Sequence, residues 1–393
     1  MKKIFIFTSH PIYYHIGVYK ILAKNENIDL TVYFYSDVGI KKYFDPQFKI
    51  EVDFAKEDIL NGYNHYFLKN ISKVKNFSFL DFINLEIPKI IFKEKPDYVW
   101  INSWSYFSDW LVIFSTILSR SKLLIRSENP LVHEFKKPKR KIFIKKILLG
   151  FLFRHTYKFL YIGNQNKDFL KFYGAKEEKM IFTPYAVDND FFQKQKEIFM
   201  PKRENLRRNF GIDKEDIVIL FTGKLSYKKR PLDLLSAYKN LIKEIKNQNV
   251  WLIFVGDGEL KKEIEEIIQK ENLNKVILAG FQNQKEISKY YIIADIFVLP
   301  SGVGETWGFV VNEAMNFGLP IITSDLVGSS YDLVGQGENG YIFKCGDIDE
   351  LTKYLIELIS DSGKRALFCR NSLRIVREYN FSKSEKNIIL NLK

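Results

Sequence analysis

Residues 296–325 read IFVLPSGVGETWGFVVNEAMNFGLPIITSD, and this stretch decides the fold. An apolar run typical of a strand ends at Pro300, and a glycine-rich turn follows it. A segment of helical period and a second apolar run then complete a strand–turn–helix–strand unit. Such a unit is typical of a parallel sheet covered by helices, with Glu305 in the turn and Glu313 on the helix.

The same alternation of strand-like and helix-like segments continues towards both ends of the chain. The strand-like runs read IFIFTS, LTVYFYS, DYVWINS, KLLIRS and FLYIGN in the first half and IVILFTG, VWLIFVGD and KVILAGF in the second. A chain of 393 residues exceeds one ordinary core. We therefore predict an α/β protein with two Rossmann-like, doubly wound parallel sheets, whose ligands bind beyond the carboxyl ends of the strands.

The boundary between the two domains is predicted within residues 185–205, where a polar segment containing Pro201 interrupts the strand rhythm. We expect an N-terminal domain over residues 1–195 and a C-terminal domain over residues 196–375. The remaining segment, 376–393, is expected to form a helix that packs back on the N-terminal domain.

Composition indicates a soluble globular protein, since 46% of the residues are hydrophobic and 27% are charged. Cys345 and Cys369 are too few for a disulfide framework and lack metal-ligand spacing, which favours a reducing cytoplasm. The N-terminal MKKIFIFTSHP lacks a small-residue cleavage site and is typical of a first buried strand. Residues 99–119 carry one charge, Asp109, but polar residues interrupt them, which favours a strand and a buried helix over a membrane span.

Charge is distributed unevenly along the chain. Residues 1–199 contain 32 Lys and Arg against 21 Asp and Glu, whereas residues 200–393 contain 28 against 26. We therefore expect the N-terminal half to meet an anionic partner, such as a phospholipid surface or a phosphorylated acceptor.

The most basic segment is residues 135–159, FKKPKRKIFIKKILLGFLFRHTYKF, with nine Lys or Arg and no acid. Apolar side chains are interleaved with these cations. Two interpretations stay open: contact with an anionic membrane surface, at about 1 kcal/mol per cation, or a core helix with a solvated basic face.

The glycine-rich turn and the helix after it suit a phosphorylated, polyhydroxylated ligand. Gly302, Gly304 and Gly308 allow close approach of the backbone, and a helix N-terminus attracts phosphate. Glu305 and Glu313 can accept hydrogen bonds from sugar hydroxyls. The alternative is that the glycines only form turns and Glu313 pairs locally.

A second group of charged residues lies in GKLSYKKRPLDLLSAY, residues 223–238, directly after a predicted strand. Lys224, Lys228, Lys229 and Arg230 occupy a strand-to-helix loop at the same predicted edge of the sheet as Glu305. A departing diphosphate needs its charge neutralised, by a metal or by fixed cations. The alternative is a solvated basic turn.

Residues 218–345 resemble glycosyltransferase family 4, whose members are retaining enzymes of the GT-B fold. The matching blocks are GKLSYKKRPLDLL, FVGDGEL, ILAGFQNQKEISKYYIIADIFVLPS and GETWGFVVNEAMNFGLPIITSD, in that order. The resemblance implies two Rossmann-like domains that face a central cleft. It further implies that Lys224 (usually arginine in the family) and Lys229 bind the donor phosphates, that Glu313 holds the ribose and that Glu305 contacts the transferred sugar. The other implied donor-site residues are Gly223, Phe281, Gln282, Thr306, Trp307, Gly308 and Phe309.

The N-terminal half resembles a narrower branch of that family, in TSHPIYYHIGVYKIL and IRSENP. Many relatives carry a histidine in the second segment, whereas this chain has Arg126, Ser127 and Glu128 there, with His133 further on. We favour Glu128 over His133 as the group near the reacting sugar. His10, Tyr14, His15 and Arg126 are further candidates on the acceptor side, although each histidine is equally compatible with a structural role.

Two Asp-x-Asp sequences resemble a metal-binding motif of another glycosyltransferase fold. The first, Asp188-Asn189-Asp190, matches the interdomain segment of the family, and the second, Asp347-Ile348-Asp349, begins a predicted helix where aspartates act as caps. We therefore expect neither a metal nor a cofactor. The segment Gly256-Asp257-Gly258 lacks the third glycine of a dinucleotide fingerprint, which argues against a dehydrogenase.

Taken with the resemblance, these features predict a retaining transfer of a sugar from a nucleotide-sugar to an acceptor hydroxyl. The setting implied by resemblance is bacterial surface polysaccharide, lipopolysaccharide or glycolipid assembly, in the cytoplasm or on the inner face of the cytoplasmic membrane. The alternatives are a GT-B-like nucleotide-sugar epimerase and, because the pI is about 9.3, a nucleic-acid-binding protein, although no nucleic-acid module is apparent.

Overall fold

The computed structural model describes residues 1–40, 43–45, 50–52, 59–245 and 249–392. The chain forms two compact units. The N-terminal unit contains the described residues up to Tyr185 together with 381–392, and the C-terminal unit contains residues 186–245 and 249–380. The chain thus changes unit at 185/186 and 380/381, whereas the sequence placed these boundaries at 195/196 and 375/376.

The N-terminal unit is built on a seven-stranded parallel sheet of order β5-β2-β1-β6-β7-β8-β9. Its strands are β1 (Lys2–Thr8), β2 (Ile28–Phe34), β5 (Asn64–Phe67), β6 (Tyr98–Ile101), β7 (Lys122–Ile125), β8 (Lys158–Tyr161) and β9 (Met180–Phe182). A short antiparallel pair, β3 (Tyr43–Asp45) and β4 (Ile50–Val52), is separate from this sheet.

Helices cover both faces of the N-terminal sheet. They are α1 (Tyr13–Ala23), α2 (Ile87–Glu94), α3 (Phe107–Ser119), α4 (Lys139–His155), α5 (Asn164–Phe172) and α15 (Phe381–Asn391), with 3-10 turns at Leu131–Lys136 and Glu177–Lys179. Alternate residues of β1 enter different cores: Phe5 and Phe7 lie on one face of the sheet, and Ile4 and Ile6 lie on the other. Burial on both faces is the reason these strands are almost continuously apolar.

The final helix, α15, packs in the N-terminal unit against α1. The ring of Phe381 lies so close to Gly17 that a Cβ at residue 17 would come within 2.2 Å of it. Ser384 and Asn387 donate to the carbonyl oxygens of Pro184 (3.2 Å) and Phe182 (2.9 Å). A glycine in α1 therefore makes room for the end of the chain.

The C-terminal unit is built on a six-stranded parallel sheet of order β12-β11-β10-β13-β14-β15. Its strands are β10 (Ile217–Thr222), β11 (Val250–Val255), β12 (Val276–Leu278), β13 (Ile296–Leu299), β14 (Ile321–Ser324) and β15 (Gly340–Phe343). The helices are α6 (Asn189–Phe199), α7 (Arg203–Arg208), α8 (Pro231–Glu244), α9 (Lys261–Lys270), α10 (Gln284–Ile293), α11 (Phe309–Asn316), α12 (Ser330–Leu333), α13 (Ile348–Ser360) and α14 (Ser362–Val376), with a 3-10 turn at Met200–Lys202.

Each sheet has a point at which the strand order reverses. In the C-terminal unit this switch point lies between β10 and β13, and in the N-terminal unit it lies between β1 and β6. Loops that leave neighbouring strands at a switch point run to opposite sides of the sheet and open a crevice at the carboxyl edge. The predicted parallel, doubly wound sheets are therefore confirmed, and they fix where each unit can bind a ligand.

The nearly uncharged segment 99–119 forms most of β6 and all of α3, as predicted. Asp109 is buried in the first turn of α3, where it accepts hydrogen bonds from the Tyr35 hydroxyl (2.8 Å) and the Tyr106 amide (3.0 Å). Among the described residues, no helix has both the length and the apolar character needed to cross a bilayer.

Candidate functional site

A buried ion pair joins the two charged loops at the switch point of the C-terminal sheet. Lys229, in the loop after β10, contacts Glu305 Oε2, in the loop after β13. The Lys229 side chain is 16% exposed and that of Glu305 is 8% exposed. Burial opposes ionisation of Glu305, but Lys229 and Lys228 outweigh it and hold the pKa of this carboxyl below its usual value. Glu305 is therefore a carboxylate at neutral pH.

Glycines bring the backbones of two neighbouring loops into direct contact beside this pair. A Cβ on Gly256 would lie 1.9 Å from the carbonyl oxygen of Gly223, and a Cβ on Gly258 would lie 2.5 Å from that of Leu225. Both glycines have positive φ, 143° and 158°. The motif Gly256-Asp257-Gly258 thus shapes the loop that carries Lys224 and Lys229.

The remaining cations of that loop lie along the glycine-rich turn. The Lys228 carbonyl accepts from the Gly302 amide at 2.8 Å, and its side chain passes over Gly304. Arg230 lies against Gly302 and donates from Nε to Asp233 at 2.7 Å. The structure therefore brings Lys228 and Lys229 to Glu305, as the sequence predicted, while Arg230 is committed to the first turn of α8.

A buried tyrosine of α10, Tyr291, links Glu313 to the end of β10. Its Oε2 accepts from the Tyr291 hydroxyl at 2.8 Å, and that hydroxyl lies 3.0 Å from Thr222 Oγ1 at the end of β10. The Tyr291 ring stacks on Phe317 with its centroid 5.2 Å away. Glu313 is only 5% exposed, so this contact fixes its carboxylate next to the loop that begins at Gly223.

Gly308 caps the N-terminus of α11 and has a positive φ of 88°. A Cβ there would meet Leu299 at 2.9 Å, so only glycine fits the start of this helix. Trp307 is 2% exposed, and its indole donates to Asn312 at 2.8 Å, so its side chain belongs to the core. The backbone of the segment from Thr306 to Phe309, rather than the indole, is what this turn can offer a phosphate.

The other predicted donor-site residues lie at the same edge of the sheet. Phe281 is 47% exposed and follows β12, and Gln282 donates to the Ala279 carbonyl at 2.8 Å. Lys224 is half-buried, directly after Gly223. Phe281 follows β12 and Lys229 follows β10, so they lie two strands apart along the sheet. The flat, apolar ring of Phe281 is suited to contact the base of a nucleotide.

The N-terminal unit has its own cluster of polar side chains at the carboxyl edge of its sheet. Glu128 Oε1 accepts from His15 Nε2 at 3.0 Å and from the Tyr185 hydroxyl. His15 Nε2 also lies 2.9 Å from that hydroxyl. Arg126 is 1% exposed and stacks on the Tyr185 ring, with its guanidinium carbon 4.6 Å from the centroid.

Electrostatics keep Glu128 ionised. Burial raises its pKa, but the hydrogen bond and charge of His15, the hydrogen bond of Tyr185 and the charge of Arg126 together lower it to about 2. The Glu128 side chain is 36% exposed, while His15 is 3% exposed. The buried His15 therefore holds a carboxylate that still reaches solvent.

The other predicted residues of this half are placed less centrally. His10 Nδ1 lies 2.9 Å from Ser9 Oγ, and its ring contacts Phe77. Tyr14 is half-buried in the first turn of α1, with its ring 5.5 Å from that of Tyr13. His133 is 6% exposed in the 3-10 turn Leu131–Lys136. Glu128, His15 and Arg126 are thus brought together, whereas His133 is buried on another element.

Comparison with known proteins identifies the C-terminal unit. A family model described as "Glycosyl transferases group 1" matches residues 202–374. These residues are therefore similar to the group 1 glycosyl transferases. The family segment begins in the turn before α7, ends in α14 and contains Lys224, Lys229, Glu305 and Glu313.

Two relatives differ in how much of the chain they match. MJ1607 of Methanocaldococcus jannaschii, named as an uncharacterised glycosyltransferase, is 30% identical over 175 residues, which cover 44% of this chain and 44% of that protein. The UDP-Gal:alpha-D-GlcNAc-diphosphoundecaprenol alpha-1,3-galactosyltransferase of Escherichia coli is 26% identical over 320 residues, 80% of this chain and 79% of that protein. The chain therefore spans less than half the length of the first relative and most of the second.

Among solved structures, HepE of Anabaena in complex with UDP superposes with a TM-score of 0.74 at 18% identity, covering 100% of this chain and 99% of that one. This likeness shows the fold, and the predicted GT-B class, with a Rossmann-like sheet in each unit, is confirmed. The epimerase and nucleic-acid-binding alternatives find no support in these matches to glycosyl transferases.

Both Asp-x-Asp sequences lie at helix starts. Asp188 accepts from the Phe191 amide at 2.9 Å and caps α6, and Asp347 accepts from the Glu350 amide at 2.9 Å and caps α13. The predicted capping role of Asp347 is confirmed. In the part of the chain that the structure describes, no cluster of three or more His, Cys, Asp or Glu is arranged to hold a metal ion.

Sequence reasoning missed two tyrosines that organise these sites. Tyr185 binds Glu128, and Tyr291 binds Glu313, each from a distant part of the chain. Tyr291 follows Tyr290 in the helical pattern KYYII, where only the helical period could have marked it as inward-facing. For Tyr185, its position directly after the strand Met180–Phe182 was the available signal, since residues beyond strand ends line the carboxyl edge.

Proposed function

We propose that this protein is a retaining glycosyltransferase that moves a sugar from a nucleotide-sugar to an acceptor hydroxyl. The observation that carries the proposal is the buried contact of Lys229 with Glu305 at the switch point, next to a loop shaped by Gly223 and Gly256. A cation beside closely packed backbone suits a phosphate, and a carboxylate beside it suits the sugar that this phosphate carries.

In the proposed reaction the bond between the anomeric carbon and the β-phosphate oxygen breaks, and its electron pair stays on that oxygen. Lys224, Lys229 and the N-terminus of α11 would neutralise the charge that develops on the diphosphate. The acceptor oxygen bonds to the anomeric carbon from the same face, and its proton passes to the departing phosphate oxygen. Glu313 would hold the ribose hydroxyls, and Glu305 would contact the transferred sugar.

The N-terminal unit would provide the group nearest the reacting sugar on the acceptor side. Glu128 is the best candidate because His15 and Tyr185 fix it and its pKa of about 2 keeps it ionised. An ionised carboxylate can stabilise the positive charge that builds up at the anomeric carbon. His10, Tyr14 and His133 would play at most a supporting part.

The first donors to test are uridine diphosphate sugars, and the first acceptors are lipid-linked glycans. A relative that aligns over 80% of this chain is named for UDP-Gal and a diphosphoundecaprenol acceptor, and a solved structure of the same fold contains UDP. Such an acceptor would place the enzyme on the inner face of the cytoplasmic membrane, in surface-glycan or glycolipid assembly. Cys345 and Cys369 are not joined in a disulfide, which suits that reducing side.

We expect transfer to need neither a metal nor a bound cofactor, because fixed cations can neutralise the diphosphate. EDTA should therefore leave the rate unchanged, and added Mg²⁺ should not raise it. A rate that falls with EDTA and returns with a divalent cation would show that the lysines are not sufficient.

The decisive experiment is a thermal-shift screen of the full chain against a panel of nucleotide-sugars, followed by mass analysis and anomeric NMR of the products. A sugar added to the acceptor with retained configuration supports the proposal. Free nucleotide with an isomerised sugar and no acceptor would instead support an epimerase. Lys229→Ala and Glu313→Ala should each weaken donor binding about tenfold or more, while Glu128→Gln should lower kcat and leave donor affinity intact.

A further inference from the structure

Helix α4 carries a second apolar stripe on the side away from the core. Leu149, Leu152 and Phe153 are buried against the sheet. Five large apolar side chains of the same helix are nevertheless exposed, by 43–65%: Phe143, Ile144, Ile147, Leu148 and Phe151. At 100° per residue they cover one continuous side of the helix, roughly opposite the buried side. A stripe of five exposed apolar side chains on a protein surface is typical of a binding site.

The neighbouring helix extends this stripe. Phe114 and Leu118, one turn apart on α3, are 49% and 72% exposed. The Phe114 ring lies 6.3 Å from that of Phe151, so the two helices present one apolar surface. We call these seven side chains of α3 and α4 the α3/α4 surface.

Cations border the α3/α4 surface, and the structure separates the structural ones from the rest. Lys137 and Lys145 donate to the buried Glu134 at 2.6 and 3.0 Å, which fixes the start of α4 on the unit. Six other cations of residues 135–159 are exposed, and none of them forms an ion pair with a described residue: Lys136, Lys139, Arg140, Lys141, Lys146 and Arg154. Helix α4 contains no acid.

We infer that the α3/α4 surface docks on an anionic phospholipid bilayer, with α4 lying in the interface and its apolar stripe inserted among the acyl chains. Exposed cations next to an apolar stripe match the two layers of such an interface, anionic headgroups above hydrocarbon. A second copy of this chain fits poorly, because a two-fold contact would bring the same cations face to face. At 17 residues with six Lys or Arg, α4 is unsuited to spanning.

The orientation of α4 gives this docking a use, and here the inference rests on the proposed function. Helix α4 follows the turn that contains His133 and Glu134, so it starts at the carboxyl edge of the sheet, where Glu128 lies. It ends at His155, just before β8, at the opposite edge. A lipid-anchored acceptor would thus meet the membrane-bound helix at the edge that carries Glu128.

Vesicle flotation of the full chain tests the inference, with phosphatidylcholine vesicles that contain either no phosphatidylglycerol or one-third of it. The wild type should bind the anionic vesicles and lose most of this binding in 1 M salt. Phe143→Ser with Ile147→Ser should weaken it at least about tenfold. Neutralising Lys139, Arg140, Lys141 and Lys146 to Gln should weaken it about 100-fold or more.

Matched variants control for the number of apolar groups and charges removed. The first control, Ile71→Ser with Leu85→Ser, removes two similarly exposed apolar side chains of the N-terminal unit. The second control replaces four exposed lysines of the C-terminal unit with Gln: Lys214, Lys243, Lys262 and Lys353. Both controls should bind as the wild type does. The inference would be overturned if the wild type did not bind the anionic vesicles, or if the controls lost as much binding as the test variants. It would also be overturned if the wild type self-associated without binding vesicles and the Phe143 variant abolished this self-association. Donor thermal shifts should be the same in all five proteins, so failure of docking and failure of sugar transfer are separate results.

Discussion

Lys229 and Glu305 form an ion pair that is almost entirely withdrawn from solvent, although each lies on a loop at the carboxyl edge of the sheet. Burying two charges costs more than a neutral contact would, and stability alone seldom requires it. Under the proposed function, the diphosphate would contact Lys229 and the sugar would contact Glu305, at the position of this pair. We therefore propose that Lys229 and Glu305 are ligand-binding groups rather than a pair that serves stability alone.

Removing Lys229 alone should harm stability and donor binding together. Lys229→Ala leaves a buried carboxylate without its cation and should lower the free energy of unfolding by about 2–4 kcal/mol. The double variant Lys229→Met with Glu305→Leu should recover most of that loss, because it removes both charges. Both proteins should bind a nucleotide-sugar poorly in calorimetry. Recovered donor binding in the double variant would show that the pair is purely structural.

Gly256 should tolerate no side chain. Gly256→Ala would place a Cβ 1.9 Å from the Gly223 carbonyl and would strain a backbone with φ of 143°. We expect the free energy of unfolding, measured in urea, to fall by about 2 kcal/mol or more. The KM for the donor should rise, because Lys224 and Lys229 lie on the same loop as Gly223.

Gly174→Ala distinguishes the effect of backbone strain at positive φ from the effect of a Cβ that collides with the neighbouring loop. Gly174 also has positive φ, 98°, but a Cβ there would meet nothing within 4 Å. It should cost about 1 kcal/mol from backbone strain and leave the donor KM unchanged. Equal effects of the two variants would mean that the contact between the loops is unimportant.

The sequence predicted the sheets well because their strands are buried on both faces and thus almost continuously apolar. It missed three edge strands, Asn64–Phe67, Met180–Phe182 and Gly340–Phe343. The first of these is largely exposed, and its polar start at Asn64 lacks the apolar pattern. The loops carrying Lys229 and Glu305 were predictable from strand ends and glycines. The contacts of Tyr291 and Tyr185 were not, because each spans more than 20 residues of chain and leaves no local pattern.

Tyr291 should act on the donor through Glu313. Tyr291→Phe keeps the ring stacked on Phe317 but removes the hydroxyl that joins Thr222 to Glu313. We expect the donor KM to rise about 5- to 10-fold, with kcat nearly unchanged and a stability loss of about 1 kcal/mol. Tyr290→Phe, at the neighbouring position in α10, is the control and should leave the donor KM at its wild-type value. A fall in kcat with an unchanged KM would place Tyr291 in the chemical step instead.

His10 should make the N-terminal unit sensitive to mild acid. Burial, and secondarily the nearby His15, lower the pKa of His10 from 6.5 to about 4. Between these values the unfolded chain binds a proton that the folded protein does not, so this contribution to stability is complete above pH 6.5 and is lost as the pH falls towards 4. The loss is at most about 3 kcal/mol, at 1.36 kcal/mol per pH unit.

His10→Gln removes this titration, so its free energy of unfolding should fall less steeply than that of the wild type between pH 6.5 and 4. His65→Gln is the control, because His65 is another histidine of the same unit, close to Phe34 and Phe67. Urea unfolding at half-unit pH steps measures both. Parallel wild-type and His10→Gln curves would mean that His10 accepts a proton in the folded protein as readily as in the unfolded chain.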